Sequence, residues 1–205
     1  MGSAAPLHQS PAAPDYPGED HRVLPELESE RLLLRPRRLA DIDAILRMNA
    51  DPQVMRHIAP VGDPAMGREA VAARSFNHIA RGLGYWSIFA KEAPAEFIGY
   101  VGLIPDGDAV EDVQISYRFE ARHWGKGYAG EAAARLLEHG FTALGLPMIG
   151  ITTHPLNAAS LRLAARLDFE AAPSDPRILI GDPPVPAARL WLKRSAWRKL
   201  TPPKA

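Results

Sequence analysis

Arg122-His123-Trp124-Gly125-Lys126-Gly127-Tyr128-Ala129-Gly130 is the stretch on which the fold turns. After it, Ala129, Ala132, Ala133, Leu136, Leu137, Gly140, Phe141 and Leu144 recur at i, i+3, i+4, i+7 spacing, the apolar face of a helix that Gly145 stops. Before it, Val113, Ile115 and Tyr117 alternate with Gln114, Ser116 and Arg118, the period of a strand with two unlike faces. The glycines therefore lie at a strand-to-helix junction. The first amides of a helix have no internal partner, and its dipole places about half a positive charge there. Glycine lets the backbone bend so that several N–H groups converge on one anion. A phosphate or pyrophosphate is the expected occupant.

Outward from this junction the chain reads as one α/β unit. Tyr85–Ala90, Phe97–Ile104 and Val110–Phe119 are rich in β-branched and aromatic residues. Glu92-Ala93-Pro94 and Pro105-Asp106-Gly107-Asp108 separate them, short connections that join antiparallel neighbours. Upstream, Arg31–Arg35 is a short strand closed by Pro36. Ile42, Ile45, Leu46 and Asn49 fall at helical spacing. A further helix is predicted over Arg68–Ala80, with Val71, Ser75, Phe76 and Ile79 inward and Gly82 and Gly84 ending it. Downstream, Met148–Thr153 reads as a buried strand. Asn157 caps a helix with Leu161, Ala164, Ala165 and Leu167 inward. Phe169–Ala172 opens another strand, and a proline-rich excursion passes Pro183, Pro184 and Pro186. Ala188–Lys193 is the last strand, ending in a short tail around Trp197. Residues 1–25 carry Pro6, Pro11, Pro14, Pro17 and Pro25 with no helical or strand period, which predicts a mobile tail. The folded part begins near Leu27, and there is no internal repeat.

Composition narrows the function. The 205 residues hold 24 Lys+Arg against 24 Asp+Glu, so no basic excess drives binding to nucleic acid or anionic lipid. Cysteine is absent, which excludes disulfides, thiolate nucleophiles and cysteine-held zinc. His57, His78 and His139 are isolated, and no metal cluster is seen. No apolar run approaches the roughly 20 residues that span a bilayer. The N-terminus lacks a signal peptide's apolar region, and Pro6 breaks the myristoylation pattern. A cytoplasmic location is expected.

Residues 125–130 match the dinucleotide fingerprint G-x-G-x-x-G. That fold needs an acidic residue about 20 positions on and a run of parallel βαβ units. Here Gly150-Ile151-Thr152-Thr153-His154 stands in that region, and three hairpin-like strands precede the loop. The Walker pattern also fails, because Gly127 follows Lys126 where serine or threonine is needed. Arg122-His123-Trp124-Gly125-Lys126-Gly127 does match R-x-x-G-x-G, the pyrophosphate motif of GNAT acetyltransferases. Trp124 to Ala133 resembles the branch of ribosomal-protein N-terminal acetyltransferases. Other pieces resemble that branch in order: Glu30 to Pro36, Asp51 to Met55, Phe97 to Leu103, and Asn157 to Ser160 with Arg166 to Phe169. The resemblance covers residues 27–197, which would form one N-acetyltransferase domain.

The resemblance implies a GNAT fold: a mixed, mostly antiparallel twisted sheet of about seven strands with flanking helices, splayed between strands 4 and 5. The pantetheine arm of acetyl-CoA, the cosubstrate, would pair with the splayed edge at Ile115–Phe119, so Tyr117, Arg118 and Phe119 are cofactor-binding candidates. Backbone amides of Gly125, Lys126, Gly127, Tyr128 and Ala129 would hold the pyrophosphate beside Trp124. Arg122 and Lys126 would add charge, and Asn157 would contact pantetheine or an ordered water. The implied reaction is direct attack of a primary amine on the thioester, with a base, an oxyanion donor and an acid for the leaving thiolate. The acceptor would be a protein N-terminus or a small amine, and the enzyme a monomer or homodimer.

Two departures from the family pattern stand out. Gln114 replaces a glutamate common in the fourth strand and can only orient substrate or water. Ala164 stands where many members have the tyrosine acid, which leaves Ser160 as the donor near the sulfur. Glu111, Asp112, Glu120 and His154 are the candidate bases, beside a water chain. Trp86, Tyr85 and Tyr100 could line an acceptor pocket, although strand aromatics are usually core. Asp168 replaces a glycine at a helix exit and tolerates left-handed angles. A CoA-binding module without catalysis is the rival reading, and a nucleotide-dependent oxidoreductase is a second.

Overall fold

The computed structural model describes residues 24–106, 109–173 and 175–200. The predicted tail, apart from its last two residues, lies outside them, as do Gly107 and Asp108 of the predicted turn and the side chain of Glu111. In chain order the elements are β1 (Leu27–Glu28), β2 (Leu32–Pro36), α1 (Ile42–Asn49), α2 (Pro52–Met55), α3 (Arg68–Phe76), β3 (Gly84–Ala90), β4 (Ala93–Asp106) and β5 (Ala109–Phe119). There follow α4 (Tyr128–Thr142), β6 (Met148–Thr153), α5 (Ala158–Arg166), β7 (Glu170–Ala171), β8 (Leu179–Ile180), β9 (Val185–Pro186), β10 (Ala188–Lys193) and α6 (Arg194–Leu200).

Eight strands form one sheet in the order β1-β2-β3-β4-β5-β6-β10-β7, and β8 and β9 form a separate ribbon within the proline-rich excursion. The count exceeds the expected seven by β1, whose two-residue pairing, Leu27 with Leu34, carries too little pattern to read; β7 falls within the predicted Phe169–Ala172. Every neighbouring pair is antiparallel except β5 and β6. Those two meet in parallel at a single register position, Gln114 opposite Gly150. Beyond it Ile115–Phe119 have no ladder partner on the β6 side. This is the expected splay, displaced by one in the strand count because β1 comes first.

Both faces of the sheet are covered, which explains why all seven residues of β3 are buried. Trp86 and Ile88 join one core with Val113 and Ile115 and with Ala132, Leu136 and Phe141 of α4. Tyr85 and Phe89 face a second core built on Ile42, Ile45 and Met48 of α1 and Val71 and Ala72 of α3.

Several boundaries move. Helix α3 ends at Phe76, and Ile79 falls in a separate 3-10 turn that Gly82 terminates at φ +72°. On α5 the inward residues are Ser160, Leu163 and Ala164; Leu161 is half-buried and Ala165 is exposed. A nine-residue helix is too short for its apolar period to fix the phase. Ala93 already pairs with Ala90, so the second hairpin is tighter than its turn residues suggest. The predicted tail at Trp197 is α6, and its indole packs 5.3 Å from the Phe141 ring. Asp168 takes φ +58°, the left-handed angle expected of it.

The start of α4 is anchored to the turn between β1 and β2. Glu131 accepts hydrogen bonds at 2.7 Å from Ser29 Oγ, Arg31 N and Arg31 Nε. The Arg31 guanidinium also donates to the Lys126 carbonyl at 3.0 Å and lies 4.9 Å from the Tyr128 ring centre. Burial alone would raise the Glu131 carboxyl, but the bonds from Arg31 and Ser29 outweigh it and hold it below the usual range. A carboxyl depressed on folding contributes stability above its unfolded pKa, and that contribution disappears as pH falls through the folded value. Glu131→Gln is therefore expected to lower the Tm at pH 7 by about 3–6 °C, the equivalent of about 1–2 kcal/mol. Thermal scans from pH 7 to pH 3 should show the gap to the wild type closing toward the acid end.

Candidate active site

The splay opens into a cleft of about 1210 Å³ between β5, α4, α5 and the α2 turn. Two helix N-termini face it, with Gly127–Gly130 from α4 and Asn157–Ser160 from α5 among its lining. No side chain caps the start of α4, so its first-turn amides remain open to a ligand. Gly125 and Gly127 both adopt positive φ, +76° and +83°. A Cβ on Gly125 would meet nothing within 4 Å, so the turn is open there, whereas one on Gly127 would meet Arg31 Nη2 at 3.3 Å. The N-terminus of α5 differs: Asn157 accepts from Ser160 N at 3.1 Å, the cap the sequence predicts.

The edge of β5 is oriented by its pairing with β4. Glu120 N donates to Ile98 O at 3.1 Å, and both polar groups of a residue in an antiparallel strand point the same way, alternating along it. The amides of Tyr117 and Phe119 thus turn toward the gap. The Trp124 indole takes the Phe119 carbonyl at 2.8 Å. Tyr117 Oη lies 2.9 Å from Ser160 Oγ, which joins the splayed edge to α5 across the cleft. Burial pushes the Tyr117 phenol up, and the bond with Ser160 only partly offsets this, so it stays protonated at neutral pH.

Tyr117, Arg118, Phe119, Trp124, Gly125, Gly127, Tyr128, Ala129, Asn157 and Ser160 all line the cleft. Gln114 does not; it sits at the rung where β5 and β6 close. The Lys126 side chain is exposed and also outside the lining. Arg122 is held by Glu96 at 2.9 Å and Glu120 at 2.6 Å, so its charge is matched away from the cleft. The same ion pair occupies Glu120, one of the candidate bases. Trp86 is fully buried core.

Positive charge reaches the cleft from residues outside the loop: Arg56 on the α2 turn, and Arg162 and Arg166 on α5. The i, i+4 spacing of the last two on a capped helix was a readable signal. Among the described residues no carboxylate lines the cleft, so it is electropositive in a chain with no net charge. His123 lines it too, without a hydrogen bond to either ring nitrogen. Burial first, then Arg122, lowers its pKa. His57, read as isolated, lies on the cleft wall with its ring 5.1 Å from that of His154. His154 Nδ1 accepts from Leu156 N at 3.1 Å, which leaves the proton of a neutral His154 on Nε2. Among the described residues no cluster of His, Asp and Glu could hold a metal.

This architecture is that of an acyl-CoA-dependent transferase, and residues 31–170 match the acetyltransferase (GNAT) domain family. The chain belongs to that family and is an acetyl-CoA-dependent N-acetyltransferase. It is 32% identical over 146 residues to an uncharacterized N-acetyltransferase p20 of Bacillus licheniformis, spanning 70% of this chain and 82% of that one. An acetyltransferase structure from Agrobacterium tumefaciens str. C58 superposes with a TM-score of 0.67 at 26% identity, over 93% of this chain and 99% of that one. The Mycobacterium smegmatis RimJ structure, in complex with CoA-disulfide, shares the fold with a TM-score of 0.69 at 21% identity, over 89% and 90% of the two chains. The uncapped α4 start, the open glycine turn and the unpaired β5 edge fit acetyl-CoA, whereas the mostly antiparallel sheet, with β5 and β6 its one parallel neighbouring pair among the described residues, does not fit the oxidoreductase reading. No described helix is long and apolar enough to cross a membrane.

Proposed function

We propose that this N-acetyltransferase acts on a primary amine, a peptide N-terminus or a small molecule, through a domain spanning residues 27–197. The hydrogen-bonded Tyr117–Ser160 pair beside the unpaired β5 edge carries the reading. The amides of Gly125 to Ala129 would hold the pyrophosphate, and Arg162 and Arg166 on the cleft wall would neutralise phosphate charge. The Tyr117 and Phe119 backbone would pair with the pantetheine arm. Acetyl-CoA supplies the activated acetyl group when bound.

In this reading His57 takes the proton from the attacking amine. Burial first, then His154 and Arg56, lowers its pKa below the ordinary histidine value, so it is neutral and basic at pH 7. Tyr117, aligned by Ser160, gives a proton to the departing thiolate. The C–N bond forms and the C–S bond breaks, so amine and thioester become amide and thiol with no covalent enzyme intermediate and no need for cysteine. Activity is therefore expected to fall with acid through a midpoint below pH 6.5. His57→Gln is expected to reduce kcat/KM about 10–100-fold and to flatten that acid limb. A pH–rate profile in which the limb survives the substitution would remove His57 from the role.

The rest of the assignment is a cytoplasmic enzyme, monomeric or homodimeric, with no nucleic-acid partner. A mass-spectrometric screen of peptides and small amines with acetyl-CoA tests it. Acetylated product from any primary amine supports transfer. Tight CoA binding with no product across the panel favours a binding module, the reading that Gln114 and Ala164 motivate.

A further inference from the structure

On the sheet face opposite α4, a second and smaller cavity of about 20 Å³ lies among Arg37, Asn49, Arg74, Tyr85, Tyr100 and Arg118. Three guanidiniums thus converge on one small space. Arg37 is 4% exposed, and its Nε and Nη2 have no hydrogen-bond partner; neither has Arg118 Nε. The bonds these arginines do make go to neutral acceptors. Arg37 Nη1 donates to Ser75 Oγ at 2.9 Å, Arg118 Nη1 to Asn49 Oδ1 at 2.5 Å, and Arg74 Nη2 to Met66 Sδ at 3.6 Å. Asp41, the acid nearest in chain to Arg37, is committed elsewhere, to Arg35, the Arg38 amide and Ser87. Among the described residues no carboxylate pairs with any of the three. Stacking of the Arg37 guanidinium 4.1 Å from the Tyr85 ring centre and 4.4 Å from that of Tyr100 holds the group in place but supplies no counter-charge.

A buried charge with open donors and no directly paired counter-ion, Asp41 acting on Arg37 without bonding it, is costly, and its complement is an anion. The size of the space selects which one. About 20 Å³ admits a group near the size of one water, so one carboxylate oxygen enters fully, and a small planar carboxylate fits better than a bulkier tetrahedral phosphate or sulfate. The guanidinium fork matches two coplanar carboxylate oxygens. Arg118 also lines the large cleft, so an anion in the small cavity sits beside the cleft proposed for acetyl-CoA.

We propose that the Arg37–Arg74–Arg118 cavity binds a carboxylate of the acceptor, so that the natural substrate is an amine that also carries a carboxylate. The assignment rests on the acceptor reading above, whereas anion binding by the cavity does not. Formate, the smallest carboxylate, is the probe. At 100 mM and fixed ionic strength it is expected to raise the Tm by about 3 °C or more if its Kd is near 10 mM. Methanesulfonate, of equal charge but larger, should not. Arg37→Met should abolish the formate shift, as should Arg74→Gln, whose exposed side chain leaves the fold undisturbed if the buried variant fails to fold. The kinetic arm uses amino acids from glycine to 6-aminohexanoate, each against its carboxamide. At least one carboxylate member should be preferred tenfold or more in kcat/KM, with the preference lost in Arg74→Gln. Absence of formate protection overturns the proposal, as does protection accompanied by acetylation without any carboxylate preference. Formate protection with no amine acetylated upholds the anion cavity and refutes the acceptor reading instead.

Discussion

Tyr117→Phe is expected to lower kcat about 100-fold while changing the KM for acetyl-CoA by no more than threefold. The substitution removes one oxygen and keeps the ring, which packs against the α4 core. Among the described residues the phenol hydrogen-bonds to Ser160 Oγ, at 2.9 Å. The net loss of one such bond is about 1 kcal/mol, equivalent to a Tm change of about 2–4 °C. Stability loss on that scale leaves the enzyme folded at assay temperature, so a hundredfold fall must come from the reaction. Ser160→Ala should cost less, about tenfold, because the phenol remains to donate and loses only its alignment. Steady-state kinetics of both variants decide the matter. If Tyr117→Phe retains more than a third of wild-type kcat, the phenol is not the acid.

The second large effect concerns the glycine turn. Gly125→Asp is expected to weaken CoA binding about 100-fold, and Gly125→Asn to weaken it less than fivefold. The position has φ +76°, which aspartate and asparagine both tolerate, and an added Cβ meets no atom within 4 Å. The two side chains have the same shape and differ in charge. A carboxylate about 6 Å from a pyrophosphate charge costs roughly 3 kcal/mol at an effective dielectric near 20, hence the factor of about 100. Titration calorimetry with CoA measures both. Equal affinities for the two variants would place the pyrophosphate away from this loop. The pair also separates anion repulsion from damage to the turn, since both variants load the backbone equally.

How much of this was readable beforehand follows from which signals are local. The α4 helix, its uncapped glycine start, the strands from β3 to β5, the last strand and the Asn157 cap are encoded in contiguous runs, where period and turn residues act over a few positions. These sufficed to read the glycine turn at a strand-to-helix junction and the transferase class. Ends of elements were less legible: α3 stops at Phe76, with Ile79 in a separate turn and buried in the core, and Trp197 lies on α6 against Phe141.

The chemistry between segments was not encoded locally. Arg122 belongs to the motif, yet Glu96 from β4 and Glu120 draw its guanidinium away, and the cleft takes its charge from Arg56, Arg162 and Arg166. His57 and His154 are 97 positions apart and 5.1 Å apart in space. Tyr117 meets Ser160 only because β5 and β6 part after Gln114 and Gly150 and let the N-terminus of α5 approach the exposed edge. Sequence by itself determined the glycine turn and uncapped helix start proposed as the anion cradle, since the open backbone donors arise from the loop and its helix, although Arg31 also holds the Lys126 carbonyl. Tertiary structure alone decided which side chains face that cradle, because a side chain's partners are set by the register and divergence of strands distant in the chain.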